Sequence, residues 1–173
     1  YVEPSDYSAG HELVNNEQAN AVVLHTFSKI YGLAALRLGW AYCPDEIADV
    51  LNRIRGSFNV TASAQAAGIA ALQDTAHTAK ARAHNSRWRP WLETELSALG
   101  LEVIPSAGNF VLIRFAGKDQ AQAAYRHMLE RGVVLRPMGA YHLPETLRIT
   151  VGKEHENQVC VRELKKFLAS GGA

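Results

Sequence analysis

Lys29 stands at the end of a β-branched run, directly behind two hydroxyls, Thr26 and Ser28, and Arg37 comes eight positions later. An amine, a guanidinium and two hydroxyls gathered at a strand end make a site that wants an anion. A guanidinium matches a phosphate through two parallel hydrogen bonds and keeps its proton at any ordinary pH. The hydroxyls supply further donors. A lysine placed there can also become a nucleophile, because desolvation and nearby cations favour the unprotonated amine. One lysine and one arginine alone would be ordinary surface charges, but the whole string is not accounted for in that way. No glycine-rich run precedes Lys29, which excludes a Walker phosphate loop.

Further along, Arg136 lies in VLRPM and Arg148 in TLRITV, both strand-like segments. An edge-strand arginine paired with a carboxylate is the structural alternative for Arg148. Arg114 is also on a strand and reads as structural, whereas Asn109, after Gly108, reads as a turn residue. The seven histidines fall at no HExxH or Cys/His metal spacing. His155, inside KEHEN, reads as a solvated helix residue.

These groups need elements to hold them. Val22 to Leu24 and the segment LGWAYC are short apolar runs of β-formers and predict buried strands, with Cys43 in the second. A helix is expected from Pro44-Asp45 to about Arg55, and Thr61 or Ser63 could cap the Ala-rich helix AQAAGIAALQ. A long helical pattern from Thr75 to Leu99 should break at Pro90 and stop at Gly100. Then LEVIP and NFVLIRF predict strands, Asp119 to Arg131 a helix, GVVLRP and TLRITV strands, and Glu154 to Leu168 a closing helix. Residues 1–20 read as irregular and SGGA as a frayed tail. Strands alternating with helices mean α/β organisation. A domain boundary is expected within the long helix, dividing residues 1–80 from 81–173.

Apolar residues make up 47% of the 173, charged residues 20%, and the net charge is +1, so a packed core is expected and a basic nucleic-acid surface is not. No apolar run is long enough to span a membrane, and the first residues lack a signal-peptide core. The two cysteines lie far apart, which favours a reduced, cytoplasmic protein.

TFSKIYGLAALRLGW, residues 26–40, resembles the cofactor-lysine segment of pyridoxal-phosphate aminotransferases with the aspartate-aminotransferase fold. That pattern is hydroxyl-x-Ser-Lys-x-x-Gly-Leu-x-x-x-Arg-x-Gly, matched at Thr26, Ser28, Lys29, Gly32, Leu33, Arg37 and Gly39. Ala35 and Trp40 depart from it, where glycine and tyrosine are usual. PSAGNFVLIRF, VLRPM and LRITVG extend the likeness over nearly the whole chain, nearest to the histidinol-phosphate aminotransferases. The resemblance implies part of a large domain with a mostly parallel sheet, then a smaller α/β domain. It implies a Schiff base between Lys29 and pyridoxal 5'-phosphate, with the phosphate held by Thr26, Ser28 and Arg37. The freed amine would shuttle a proton between the substrate α-carbon and the cofactor's C4′. Arg148 would clamp the α-carboxylate and Arg136 the anionic tail of the substrate. YVEPSDY resembles the residues just after the family's cofactor aspartate, making Tyr1 the contact to the ring oxygen and leaving that aspartate before it. The chain is therefore expected to be a carboxy-terminal portion, inactive alone and dimeric when complete. Glutamate and imidazole-acetol phosphate are the leading substrates. An aromatic aminotransferase, a phosphothreonine decarboxylase of similar fold and a non-catalytic remnant remain as alternatives.

Overall fold

The structure is a computed structural model and describes Tyr1, residues 10–15 and residues 20–171. The described chain packs as two compact units that divide between Arg82 and Ala83, with Tyr1 grouped with the second. Most of the irregular lead expected over residues 1–20, and the last two residues of SGGA, lie outside the described residues.

In the first unit a single helical turn, α1 (His11–Val14), precedes β1 (Val23–Thr26) and β2 (Gly39–Tyr42), and α2 (Asp45–Ile54) and α3 (Ala62–Gln73) come after them. β1 and β2 pair antiparallel, Val23 opposite Tyr42 and Thr26 opposite Gly39. The apolar runs predict burial of both strands, yet β2 is exposed along its length and Leu24 is 77% exposed. A two-stranded ribbon has two free edges and cannot cover both of its faces, which is the physical reason. Cys43 accordingly falls just past β2 and is half-buried. Thr61 caps α3, its hydroxyl accepting from the Ala64 N–H at 3.2 Å. Phe27 and Ala64 are buried here, and a Cβ on Gly68 would lie 2.5 Å from Leu38. Gly68 thus lets α3 approach the segment after β1.

The second unit begins within α4 (Thr75–Ala98) and continues through β3 (Glu102–Ile104), β4 (Phe110–Arg114), α5 (Lys118–Glu130), β5 (Arg136–Met138), β6 (Leu143–Thr150) and α6 (Glu154–Ala169). The expected break at Pro90 does not occur, and α4 runs through it. Proline in a helix interior costs about 3 kcal/mol. Here the ring points to solvent, while Trp88, Leu92 and Leu96, one turn apart on the other face, are buried and offset that cost. Gly100 ends the segment in the left-handed region (φ 83°), as its sequence position predicts. The expected strand GVVLRP pairs only from Arg136, because Val133 N–H turns back to the Met128 carbonyl at 2.9 Å.

The second sheet has the order β3-β4-β6-β5, and all its neighbours are antiparallel. Every ladder among the described residues is antiparallel; the mostly parallel sheet is expected of the whole large domain, of which β1 and β2 would be only a part. A parallel pair needs a long crossover, usually a helix. The chain between β1 and β2 instead makes a turn and one 3₁₀ turn and folds straight back. The core lies on one face of the second sheet, where Val111, Ile113, Leu147 and Ile149 meet Leu92 and Leu164. No described helix is long and apolar enough to cross a membrane.

This packing has two consequences for stability. A Cβ on Gly39 would lie 2.7 Å from the backbone carbonyl of His25, which cannot swing away as a side chain would. Gly39→Ala should therefore destabilise the protein by about 1–3 kcal/mol, read as a lower denaturant midpoint. The second concerns Glu163, whose carboxylate receives Lys166 at 2.9 Å and Arg162 at 3.0 Å. The Lys166 and Arg162 hydrogen bonds hold its pKa below the ordinary carboxylate value. A lowered folded-state pKa adds stability above the unfolded value and loses it as pH falls through the folded one. Glu163→Gln should be less stable than the parent at about pH 7, and the gap between their urea midpoints should close towards about pH 3.

Candidate active site

Phe27 fixes the end of β1. Its side chain is buried, its N–H bonds the Leu38 carbonyl at 3.0 Å, and its carbonyl accepts from Leu33 N–H at 2.9 Å. The first bond carries the β1–β2 pairing one step past Thr26. Ser28, after Phe27, and Arg37, before Leu38, thus flank the open end of the ribbon. The Thr26 hydroxyl donates to the Ser28 hydroxyl at 2.8 Å and accepts from the Ser28 N–H at 3.0 Å. Lys29 comes next, in a tight turn closed by Gly32 N–H on its carbonyl at 2.9 Å, with Gly32 at φ 69°. Its side chain is exposed, and no described residue pairs with its ammonium.

Arg37 takes a left-handed backbone conformation, φ 51° and ψ 45°. A long side chain there is strained, and such strain gathers where function requires a particular orientation. The guanidinium donates through Nη1 to the Ala34 carbonyl at 2.7 Å, leaving its other donors unused among the described residues. One free amine, two linked hydroxyls and one guanidinium with spare donors suit an aldehyde that also carries a phosphate. Donors of these types fit a phosphate-bearing aldehyde such as pyridoxal phosphate.

In the second unit, Arg148 lies opposite Arg136 on β5 and opposite Leu112 on β4. Like charges directly across a ladder destabilise it. No carboxylate among the described residues neutralises either one. The Nε of Arg148 is buried and has no hydrogen-bond partner. The guanidinium carbons instead lie over aromatic rings, Arg148 5.2 Å from Phe110 and Arg136 5.7 Å from Tyr141. Arg114 is the contrast: Glu102 at 2.7 Å and Glu145 at 3.4 Å both neutralise it, which agrees with its structural reading. The Asn109 carbonyl accepts from Val151 N–H at 2.9 Å and ties the start of β4 to the end of β6.

Thr26, Ser28, Lys29 and Arg37 thus gather in the first unit, and Arg136 and Arg148 in the second. Tyr1 groups with the second, where burial raises its phenol pKa. Sequence reasoning missed Phe110 and Tyr141. Phe110 sits inside the quoted strand and alternates with Leu112, but only the cross-strand register shows that it reaches Arg148. A cleft of about 670 Å³ also lies in the second unit, between Val133–Leu135, Ile149–Gly152 and the start of α6, and none of the site residues lines it. Cys160 does, but burial pushes its thiol up to about 12, so it is not a nucleophile at neutral pH. His155 is exposed on α6, as its flanks predict.

The family model for aminotransferase class I and II matches residues 2–164, and the chain belongs to that family. A histidinol-phosphate aminotransferase of Paramagnetospirillum magneticum is 51% identical over 98% of this chain and 47% of its own length. One from Rhodopseudomonas palustris is 48% identical over the same shares. The chain therefore spans about half the length of the curated relatives it matches. Among solved structures, histidinol-phosphate aminotransferase from Sinorhizobium meliloti, in complex with pyridoxal-5'-phosphate, superposes with a TM-score of 0.81 at 28% identity. That likeness covers 89% of this chain and 42% of the other.

The strain at Arg37 separates stability from binding. Arg37→Gly relieves about 1–2 kcal/mol of backbone strain while losing a hydrogen bond of similar worth, so the folding midpoint should hardly move. Cofactor affinity of the full-length protein should nevertheless fall by ~1–3 kcal/mol, read by titration with pyridoxal phosphate.

Proposed function

We propose that this chain works in a pyridoxal-phosphate-dependent transaminase. The enzyme moves an amino group between glutamate and imidazole-acetol phosphate, with histidinol phosphate on the amine side, in histidine biosynthesis. The observation that carries the reading is the pairing of two charge arrangements. An unengaged lysine stands among phosphate-type donors, and two uncompensated arginines face each other across a ladder. The relatives named for this activity, at 51% and 48% identity and matched over about half their own length, support the choice of substrate.

Both substrates are anions, glutamate at two carboxylates and the imidazole compound at its phosphate. Arg148 would take the α-carboxylate and Arg136 the distal carboxylate or phosphate. Strongly hydrated anions bind well only to donors already fixed in place and partly desolvated. Bound pyridoxal phosphate supplies an electron sink that makes the substrate's α-proton labile. Lys29 would hold the cofactor through its aldehyde, and its amine would be the base that takes up and returns the proton at the substrate α-carbon. Thr26, Ser28 and Arg37 would anchor the phosphate and so keep the cofactor in place through turnover. Tyr1 would contact the ring oxygen. On this reading residues 1–80 belong to a large cofactor-binding domain and 81–173 to a smaller one. The complete enzyme is a cytoplasmic homodimer, in keeping with two free cysteines.

Lys29→Ala removes both the covalent anchor and the proton carrier. In the full-length enzyme it should abolish the absorbance of lysine-bound cofactor and cut turnover by roughly 10³-fold or more. Undiminished transamination by this variant would overturn the assignment.

A further inference from the structure

We propose that Phe110 is a positioning residue for the substrate anion held by Arg148, an inference that rests on the transaminase reading above. Phe110 pairs with Thr150, and Leu112 pairs with Arg148, so Phe110 and Arg148 are diagonal neighbours on one face of the sheet. The Arg148 guanidinium carbon lies 5.2 Å from the Phe110 ring centroid. On the same face of β4, Arg114 is engaged by the carboxylates of Glu102 and Glu145. The two arginines of β4 and β6 are therefore held by different means, and the difference matters chemically.

A carboxylate partner uses up the in-plane N–H donors of a guanidinium and cancels its charge. An aromatic face does neither, because the attraction between cation and ring quadrupole acts through the flat face of the guanidinium. Phe110 thus orients the plane of Arg148 while its edge donors stay available. The Nε of Arg148 is buried and without a hydrogen-bond partner, as is that of Arg114, so the difference between the two arginines lies in the ring on one and the carboxylates on the other. Nε and the adjacent Nη form the side-on fork that a carboxylate or phosphate accepts bidentately. The ring itself is held at close quarters: a Cβ on Gly108 would come within 3.1 Å of it. Gly108 is in turn tied to α4 by the buried Asn85, whose amide donates to the Gly108 carbonyl at 3.1 Å.

The test uses the full-length holoenzyme with Phe110→Leu, which keeps an apolar side chain and loses the ring. Cation–π attraction of ordinary size predicts a KM for glutamate raised about three- to thirtyfold, with kcat changed less than about twofold. Titration calorimetry with glutarate, a dicarboxylate with no amine to react, should show weakening by the same factor. Phe110→Tyr keeps the ring face and should restore both values to within about twofold of the parent. The KM for histidinol phosphate is measured alongside: a matching rise assigns the phosphate to Arg148 as well, and an unchanged value confines Phe110 to the carboxylate. Gly108→Ala displaces the ring without removing it and should raise the glutamate KM in the same direction, which covers a leucine variant that fails to fold. Parent-like glutamate KM and glutarate affinity in a folded Phe110→Leu or Gly108→Ala variant would overturn the proposal. A parent enzyme that transaminates neither substrate would overturn the transaminase reading instead, and that is read before any variant is made.

Discussion

Val111 and Ile113 on β4, with Leu147 and Ile149 on β6, are buried against the helices of the second unit, and this one-sided burial governs where the charges go. Side chains alternate along a strand with a period of two. Once those four residues face the core, Phe110, Arg148 and Arg136 must occupy the other face. A slip of one residue would drive Arg148 into the apolar layer and expose Ile149, at a cost no anion site could repay. The hydrophobic pattern therefore does more than hold the sheet together. It aims the cations, and it brings like charges on neighbouring strands into direct register.

The first unit solves the same problem with less material. Its ribbon is largely exposed, so burial of Phe27 and the two backbone bonds it makes are what fix the end of β1. Gly39 and Gly68 allow the close approaches that seat this anchor, one against the His25 carbonyl and one against Leu38. From there Thr26, Ser28, Lys29 and Arg37 project outward. Apolar groups left open in the same unit, such as Phe58 at 95% exposure, show how little of it is covered by the described residues.

Two of the residues proposed to bind ligands break local rules, although Phe58 and His142 share the left-handed backbone of Arg37. Arg37 adopts a conformation suited to glycine, and Arg136 faces Arg148 without a counter-ion. By contrast, Glu163 is met by Lys166 and Arg162, and Arg114 by two glutamates. Local strain and unneutralised charge lower the stability of the fold, and they persist where a ligand uses them.

The sequence by itself determined most of the local elements and the family to which the chain belongs. Thr61 as a cap, Gly100 as a helix stop, most helix limits and the lysine segment were legible, because each depends on neighbours a few residues apart. Strand burial was not legible in β1 and β2, since a run of β-formers states what could be covered and not what covers it. The unbroken helix at Pro90 was hidden for a related reason: propensity counts the cost of proline, while the buried Trp88, Leu92 and Leu96 that offset it act through tertiary packing. Ladder direction escaped as well, because period-two alternation is the same in parallel and antiparallel pairs. The aromatic seats of Arg136 and Arg148 were decided only by the tertiary structure. Cross-strand register joins residues far apart in the chain, Phe110 to Arg148 and Arg136 to Arg148, and no local pattern encodes that distance.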